Sequence, residues 1–186
     1  MHLFWKDIHS VSPEQISLLP SERQARIARC RNPEDALRLL AAGLLLREHL
    51  GVERDDDLRY LPNGKPVLSA PDAPQFSLSH SGSLAVLLAA DCRNCRCGVD
   101  VEPVNRAASA AVICRTLAAS EISSPKTFSW FWTRKEATSK LLGNGILLDF
   151  QSFSVLNSEI FTFDRPIALF TEILRGHFIS CAIEFP

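Results

Sequence analysis

The chain has 186 residues, a formal net charge of -1 at pH 7, and 46% hydrophobic against 22% charged residues. This length can bury a sizeable core, as one large domain or as two small lobes, and the composition is that of ordinary globular proteins. A nearly neutral charge disfavours broad electrostatic binding to nucleic acid. No apolar run approaches the roughly 20 residues that a membrane span needs, and the first residues lack a signal peptide's apolar segment. We therefore expect a cytoplasmic protein.

The first half of the sequence predicts helices followed by strands. Residues 2–8 form a candidate strand, and capping patterns predict helices that begin at Ser12, Ser21 and Asn32. The third helix has apolar residues at helical spacing and ends at Gly51. Beyond it, alternating and apolar runs between turn residues predict strands over residues 58–61, 76–79, 84–90 and 97–102.

The second half repeats this plan. Helices are predicted over residues 107–114 and 128–142, followed by strands over residues 152–156, 167–173 and 177–184. Helices followed by strands, twice over, predict an α+β protein of two similar lobes related by pseudo-two-fold symmetry. The predicted lobes are residues 1–102 and 103–186.

Three of the six cysteines, Cys92, Cys95 and Cys97, form a C-x-x-C-x-C string. Such a string can hold a soft metal ion, with Cys114 as a fourth thiolate. No second C-x-x-C pair follows at zinc-ribbon spacing, and the string lies between two apolar runs where a turn is expected. Reduced thiols in a turn between strands are the favoured interpretation.

Two patterns of acidic residues have the spacing of a metal site. Asp100 and Glu102 lie two residues apart on a predicted strand, so their carboxylates project from the same face at a separation of roughly 7 Å, which suits magnesium. Trp132, Glu136 and Lys140 lie one turn apart on one face of a predicted helix. The alternatives are an acidic outward face on a half-buried strand and a solvated Glu–Lys pair.

Two loops present polar groups that can bind phosphate. Residues 76–82 read F-S-L-S-H-S-G, a strand end with hydroxyls, the imidazole of His80 and free backbone N–H groups. A Ser–His pair also suggests a hydrolase, although the G-x-S-x-G pattern is absent. Residues 63–66 read N-G-K-P, a turn that presents Lys65. Purely structural loops remain the alternative for both.

In chain order, the four segments N-G-K-P, F-S-L-S-H-S-G, G-V-D-V-E and W-T-R-K-E-A-x-x-K resemble the 4′-phosphopantetheinyl transferase superfamily. The resemblance is sharp over residues 63–145 and loose over residues 19–51. Size and two-lobed plan resemble the larger, monomeric branch. The resemblance implies transfer of phosphopantetheine from coenzyme A to a serine of an apo acyl or peptidyl carrier protein, with magnesium as cofactor and 3′,5′-ADP as product.

The resemblance also implies roles for individual residues. Magnesium would be held by Asp100, Glu102 and Glu136. Lys140 would neutralise the leaving 3′,5′-ADP, and either Glu136 or Glu121 would be the general base. Coenzyme A would be contacted by Lys65, Ser79, His80, Lys135, Arg23, Arg26 and Arg38.

Two other functions stay open at the level of the sequence. One is a serine hydrolase that uses Ser79 or Ser81 with His80, and the other is a carrier-binding protein without turnover. For the carrier itself, we expect a docking surface of apolar and basic residues near Phe128, Trp130, Phe131 and Arg134.

Overall fold

The computed structural model describes residues 1–91, 94–143, 148–161 and 163–185. Over these ranges the protein is a mixed α+β structure with nine strands and four α-helices, which confirms the predicted fold class. The predicted symmetry between two lobes stays a prediction. The strands are β1 (His2–Asp7), β2 (Leu58–Tyr60), β3 (Pro66–Leu68), β4 (Phe76–Ser81), β5 (Leu84–Ala89), β6 (Arg96–Pro103), β7 (Glu159–Ile160), β8 (Ile167–Leu174) and β9 (His177–Glu184), and the helices are α1 (Ser21–Ala28), α2 (Pro33–Leu50), α3 (Ala110–Thr116) and α4 (Phe128–Leu142).

Two antiparallel sheets and a hairpin organise the strands. The first sheet has the order β1-β5-β4, the second has the order β6-β9-β8-β7, and β2 pairs with β3. Strand β6, which carries Asp100 and Glu102, pairs along its whole length with β9. By its backbone hydrogen bonds, β6 therefore belongs with the second half of the chain, although the predicted boundary at residue 102 groups it with the first half.

Helix α2 forms where the sequence predicts it because both of its ends are capped. The Asn32 side chain accepts a hydrogen bond from the Glu34 amide, and Pro33 follows at the first helical position. Gly51 ends the helix with φ +67°, a conformation that glycine adopts without strain. The buried face of α2 packs on the first sheet, where Leu45 and Leu46 share a core with residues of β4 and β5.

Helix α4 covers the other sheet and packs directly against β6. Thr127 caps its first turn, and Gly143 ends it in the left-handed conformation, as predicted for residues 128–142. At the crossing point, a Cβ atom on Gly98 would lie 2.0 Å from the Ala137 carbonyl oxygen and 2.5 Å from the Leu141 amide nitrogen. The absence of a side chain at Gly98 thus lets α4 lie directly on the strand.

The predicted strand at residues 152–156 is wrong. A 3-10 turn covers Phe150–Ser152, and the chain is irregular until β7 at Glu159–Ile160. The apolar alternation is explained by burial, since Phe153 and Val155 both enter the core below α4. The Val155 amide is satisfied by the Glu121 carboxylate and needs no partner strand.

Two further findings concern the cysteines and the helices. Cys95 is in a disulfide bond, so the expectation of reduced thiols is wrong for that residue, while Cys97 and Cys114 are free. Cys92 lies outside the described residues. Within the described ranges, no helix is both long enough and apolar enough to cross a membrane.

Candidate active site

A cavity of about 430 Å³ opens where α1, α2, β4, β6 and α4 approach one another. Tyr60 and Trp132 contribute aromatic walls, and Leu39 and Leu78 contribute aliphatic ones. The remaining walls are strongly polar, with acidic and basic groups in one space. These polar side chains belong to Arg23, Arg26, Ser79, His80, Asp100, Glu102, Glu136 and Lys140.

Alternate serines of β4 fix the acidic strand β6. The Ser77 hydroxyl accepts a hydrogen bond from the Val99 amide at 2.9 Å. Ser79 donates to Asp100 Oδ1 at 2.8 Å, and Ser81 donates to Glu102 Oε2 at 2.7 Å. Every second residue of a strand points to the same side, so the S-x-S-x-S pattern forms a ladder along β6. The two carboxylates are thereby held at one face of the strand.

The helix face predicted from the sequence borders the same cavity. Trp132, Glu136 and Lys140 all line it. Lys140 Nζ lies 2.7 Å from Asp100 Oδ1 and 2.8 Å from Ser79 Oγ, which joins the helix to both strands. The Asp100 side chain is almost fully buried and that of Lys140 is 31% exposed, so this is a charge-assisted contact partly shielded from water.

Glu136 has an altered acidity in this setting. Burial and the nearby carboxylates of Asp100 and Glu102 raise its pKa to about 7, while Lys140 and Arg106 oppose the rise. A carboxyl group with such a pKa exchanges protons near neutrality.

Two buried polar atoms of the cavity lack a hydrogen-bond partner within the described part of the chain. They are Asp100 Oδ2 and Arg23 Nε. Buried polar atoms are nearly always paired, so an unpaired acceptor and an unpaired donor indicate where a ligand supplies the partner. The acceptor suits a cation and the donor suits an anion.

The basic wall of the cavity lies on the side of α1. Arg23 and Arg26 project from that helix, and His80 borders the same space. Desolvation and the charges of Lys140, Arg38 and Arg26 lower the pKa of His80, so its imidazole is neutral at pH 7. Arg23 and Arg26 also line an adjoining cavity of about 390 Å³, whose other charged residues are the basic Arg29 and Arg54 and the acidic Glu22 and Asp55.

Residues 96–172 match the family model of the 4′-phosphopantetheinyl transferase superfamily. This segment carries a domain of that superfamily. It runs from β6 into β8 and includes Asp100, Glu102, Glu136 and Lys140, so the acidic part of the cavity lies inside the match. The match confirms the resemblance, and it supports a transferase that moves phosphopantetheine groups. The comparison with curated proteins found no match for the chain.

Magnesium is the metal expected from the sequence, and the residues of the cavity can be compared with the ligands that it prefers. Carboxylate oxygens are the ligands that magnesium prefers, and the unpaired Asp100 Oδ2 offers one directly. As the described side chains stand, no three His, Cys, Asp or Glu residues are gathered into a metal-binding group. Glu102 and Asp100 are instead engaged by cationic side chains. The chemistry of the donors fits magnesium, and these ion pairs must open or rearrange for all three carboxylates to bind it.

Two predicted site residues lie outside the cavity and pair with each other. Lys135 Nζ lies 3.0 Å from Glu121 Oε2, and both side chains are fully buried. Lys135 also donates to the carbonyl oxygens of Phe150 and Phe153. Neither charged group faces the described cavity, so the predicted roles of Lys135 at phosphate and of Glu121 as a base gain no support from this arrangement and stay predictions. Neighbouring positions on a helix point about 100° apart, which sends Lys135 and Glu136 to different faces.

Lys65 and Arg38 lie near the cavity, but their charged groups are engaged elsewhere. Lys65 Nζ donates to the carbonyl oxygens of Cys97, at 3.2 Å, and Lys140, at 3.0 Å, and so fastens the N-G-K-P turn to β6 and α4. Arg38 donates to the Gly82 carbonyl at 2.8 Å and pairs with two carboxylates of its own helix. In this arrangement neither side chain is directed at a ligand in the cavity.

Two of the four expected carrier-docking residues are internal, while Phe128 and Trp130 are partly exposed. Arg134 is 4% exposed and donates to the Val155 carbonyl and the Thr171 hydroxyl, and Phe131 is in the core. Charge reversal at Arg134 would therefore test folding and not docking.

Sequence reasoning missed Tyr60 and Arg106, and it named Ser81 only as a hydrolase candidate. Ser81 holds Glu102, and Tyr60 forms a wall between the two cavities. Arg106 lies 3.2 Å from Glu102. The S-x-S-x-S alternation was a usable signal for Ser81, and the four-residue separation from Glu102 was one for Arg106, whereas Tyr60 approaches the site only through the fold.

Proposed function

We propose that this protein is a magnesium-dependent 4′-phosphopantetheinyl transferase that modifies a serine of an apo acyl or peptidyl carrier protein with coenzyme A as donor. One observation carries the proposal: a single cavity joins Asp100, Glu102, Glu136 and Lys140 to the basic wall of Arg23 and Arg26. A dinucleotide-like substrate with several phosphates and a reacting phosphoryl group needs both kinds of wall.

The basic wall would bind the nucleotide end of coenzyme A. Arg23 and Arg26 offer guanidinium groups suited to phosphate, and the unpaired Arg23 Nε is a ready donor. Neutral His80 can donate a hydrogen bond to a phosphate oxygen without adding charge. Lys65 would act indirectly, by fixing the turn beside the cavity.

The acidic wall would hold magnesium through Asp100, Glu102 and Glu136. Bound there, the ion supplies positive charge for the oxygens of the reacting pyrophosphate. Burial, and after it the charges of Asp100 and Glu102, raise the pKa of Glu136, so a cation at this place would favour the ionised carboxylate.

The transfer itself would use Glu136 and Lys140. The carrier serine oxygen attacks the β-phosphorus, which bears the pantetheine, and the bond to the bridging oxygen of 3′,5′-ADP breaks. Glu136 is the candidate to accept the serine proton, directly or through water, because Glu121 is buried elsewhere. The Lys140 ammonium would neutralise the charge that develops on the leaving 3′,5′-ADP.

The proposal assigns the two parts of the chain different tasks. Residues 1–102 would supply the nucleotide wall together with the first metal ligands, and residues 103–186 would complete the site through α4. The protein would act as a cytoplasmic monomer on an acidic helical carrier domain, without nucleic acid or membrane partners.

The hydrolase alternative has weaker geometric support. Ser79 donates its hydroxyl proton to Asp100 and accepts a hydrogen bond from Lys140, and no hydrogen bond joins Ser79 or Ser81 to His80 among the described side chains. A serine nucleophile needs a base that accepts its proton, and Asp100 already receives a second hydrogen bond at the same oxygen. The Lys140–Asp100 contact also joins α4 to β6, so turnover, and not this contact, separates a transferase from a carrier-binding protein.

Label transfer separates these functions. The protein is incubated with magnesium, a coenzyme A conjugate that carries a fluorophore on its thiol, and a panel of apo carrier proteins. Fluorescence on a carrier band, absent when the carrier serine is changed to alanine, supports the transferase. A protein that instead reacts with a fluorophosphonate probe, and labels no carrier, is a serine hydrolase. Carrier binding without either signal indicates the protein without turnover.

A further inference from the structure

Arg106 occupies a specific place at the edge of the acidic wall. It follows β6 in a turn in which its amide donates to the Pro103 carbonyl at 3.1 Å. The turn directs the side chain back along the strand, so that Arg106 Nε lies 3.2 Å from Glu102 Oε1. Arg106 is also close enough to Glu136 to oppose the rise in the pKa of that group.

Both carboxylate oxygens of Glu102 are occupied as a result. Oε2 accepts the hydrogen bond of Ser81 at 2.7 Å, and Oε1 faces Arg106. Asp100 is held in a similar way, with Ser79 and Lys140 on Oδ1. The side chains of Arg106 and Lys140 therefore supply the positive charge that a bound divalent cation would otherwise supply.

Aromatic rings hold the Arg106 guanidinium in place. Its central carbon lies 4.3 Å from the centre of the Trp132 ring and 5.7 Å from that of Phe128. Trp132 itself lines the cavity one helical turn before Glu136. Arg106 Nη1 is buried and has no hydrogen-bond partner within the described part of the chain. The guanidinium is thus held by the two rings and by Glu102, and not all of its N–H groups are hydrogen-bonded.

We propose that Arg106 is a positioning residue that holds Glu102 and competes with a divalent cation for its carboxylate. This inference rests on the proposed metal site. Without a cation, Arg106 and Lys140 keep the three carboxylates together. When a cation enters, Glu102 must exchange Arg106 for the ion, and the guanidinium can remain on the Trp132 ring because that contact does not depend on Glu102.

The competition has a definite sign. Removing the charge of Arg106 leaves the carboxylates more negative and frees Glu102 Oε1, so a divalent cation should bind more tightly. If Arg106 only kept Glu102 ordered, removing it would have the opposite effect, because a disordered Glu102 would bind the ion less tightly. Metal affinity therefore distinguishes the two roles without any measurement of transfer.

The experiment is a titration of the purified full chain with Mn²⁺, followed by the electron paramagnetic resonance signal of the free ion, with and without coenzyme A. The variant Arg106→Met keeps an unbranched chain against the rings and removes the charge. We expect its dissociation constant for Mn²⁺ to fall about five- to tenfold, the order expected when one competing ion pair is removed. Arg106→Lys, which keeps the charge, should stay within about threefold of the unmodified protein.

Arg175→Met is the matched control. Arg175 also pairs with a carboxylate, Asp7 at 3.3 Å, and also lies over a tryptophan ring, that of Trp5 at 5.6 Å, but it does so away from the described cavity walls. The same substitution there changes net charge equally and should leave Mn²⁺ affinity unaltered. If Arg106→Met does not fold, as judged by thermal unfolding, Arg106→Gln takes its place.

The outcomes separate this inference from the proposed function. Unchanged or weaker Mn²⁺ binding by a folded Arg106→Met or Arg106→Gln variant, with the unmodified protein binding normally, overturns the role of Arg106 alone. An equal gain in Arg175→Met also overturns it, because the effect would then be one of net charge. No saturable Mn²⁺ binding by any variant, with or without coenzyme A, removes the metal site and the inference with it.

Discussion

Lys140 and Asp100 are 40 residues apart in the sequence, and their charged groups lie 2.7 Å apart between helix α4 and strand β6. Ser79 of a third element, strand β4, bonds to both. The contact is possible because Gly98 admits the backbone of α4 onto the strand. The ion pair and the Ser79 hydroxyl thus join the three elements that form the acidic wall. The same residues therefore hold the elements together and supply the proposed chemistry.

Replacing Lys140 by methionine should reduce carrier modification strongly. The ammonium is placed beside the acidic wall, where it would neutralise the leaving group, and the loss of such a group costs about 10²–10³ in kcat. Steady-state transfer from coenzyme A to a carrier protein measures the effect. Lys6→Met is a suitable control, because Lys6 forms an ion pair with Glu48 away from the cavity and should leave kcat unchanged. Equal activity of both variants would remove Lys140 from the mechanism.

Replacing Gly98 by alanine should destabilise the protein by about 2–4 kcal/mol, because overpacking against backbone atoms cannot be relieved by a rotamer change. The added Cβ would lie 2.0 Å from the Ala137 carbonyl oxygen, so α4 would be displaced from β6. Gly43→Ala is the matched control, since the three atoms nearest its Cβ all belong to the Leu19 side chain and none to the backbone. Urea unfolding of both variants tests this, and similar stability losses would show that the close approach at Gly98 is unimportant.

Glu121 and Lys135 should prove structural. Glu121→Gln leaves the buried ammonium without its counter-charge and should cost about 3–5 kcal/mol. The double variant Glu121→Gln/Lys135→Met should recover part of that loss, because no charge is then buried alone. Denaturant unfolding measures stability, and kcat of the folded fraction should change less than about threefold in the double variant. A large fall in kcat with stability retained would restore Glu121 as the base.

Glu136 should make the stability of the metal-free protein depend on pH. Its folded-state pKa of about 7 lies above the ordinary value of 4.5, so between these values the folded protein binds a proton that the unfolded chain lacks. The contribution favours folding at low pH and is lost as pH rises through about 7. In EDTA, Glu136→Gln should therefore be more stable than the unmodified protein at pH 8, by about 2 kcal/mol, and the difference should shrink toward pH 5. A difference that does not vary with pH would contradict the raised pKa.

The sequence predicted the elements with strong local signals and missed those set by the fold. The caps at Asn32 and Gly51 were sufficient to define α2, and the spacing of Trp132, Glu136 and Lys140 correctly placed them on one face. The strand predicted near Phe153 failed because burial alone produced its apolar pattern.

The site assignment that the structure supports least concerns a charged residue whose partner is distant in sequence. Lys135 looked like a phosphate ligand because its neighbours in sequence line the cavity, yet its counter-ion, Glu121, comes from a turn before α4. Arg106 lies four residues after Glu102, so that pair is local, but its contact with Trp132 forms only when α4 packs on β6. Pairings of this kind are decided by tertiary packing.

The most direct test of the proposed function is the intact mass of a panel of apo carrier proteins after incubation with this protein, magnesium and coenzyme A. The account predicts a mass gain of one phosphopantetheine group on at least one carrier. The gain should disappear with EDTA and with Asp100→Ala, while Arg175→Met retains it. No gain on any carrier, together with no binding of coenzyme A to the folded protein, would contradict the proposed transferase activity.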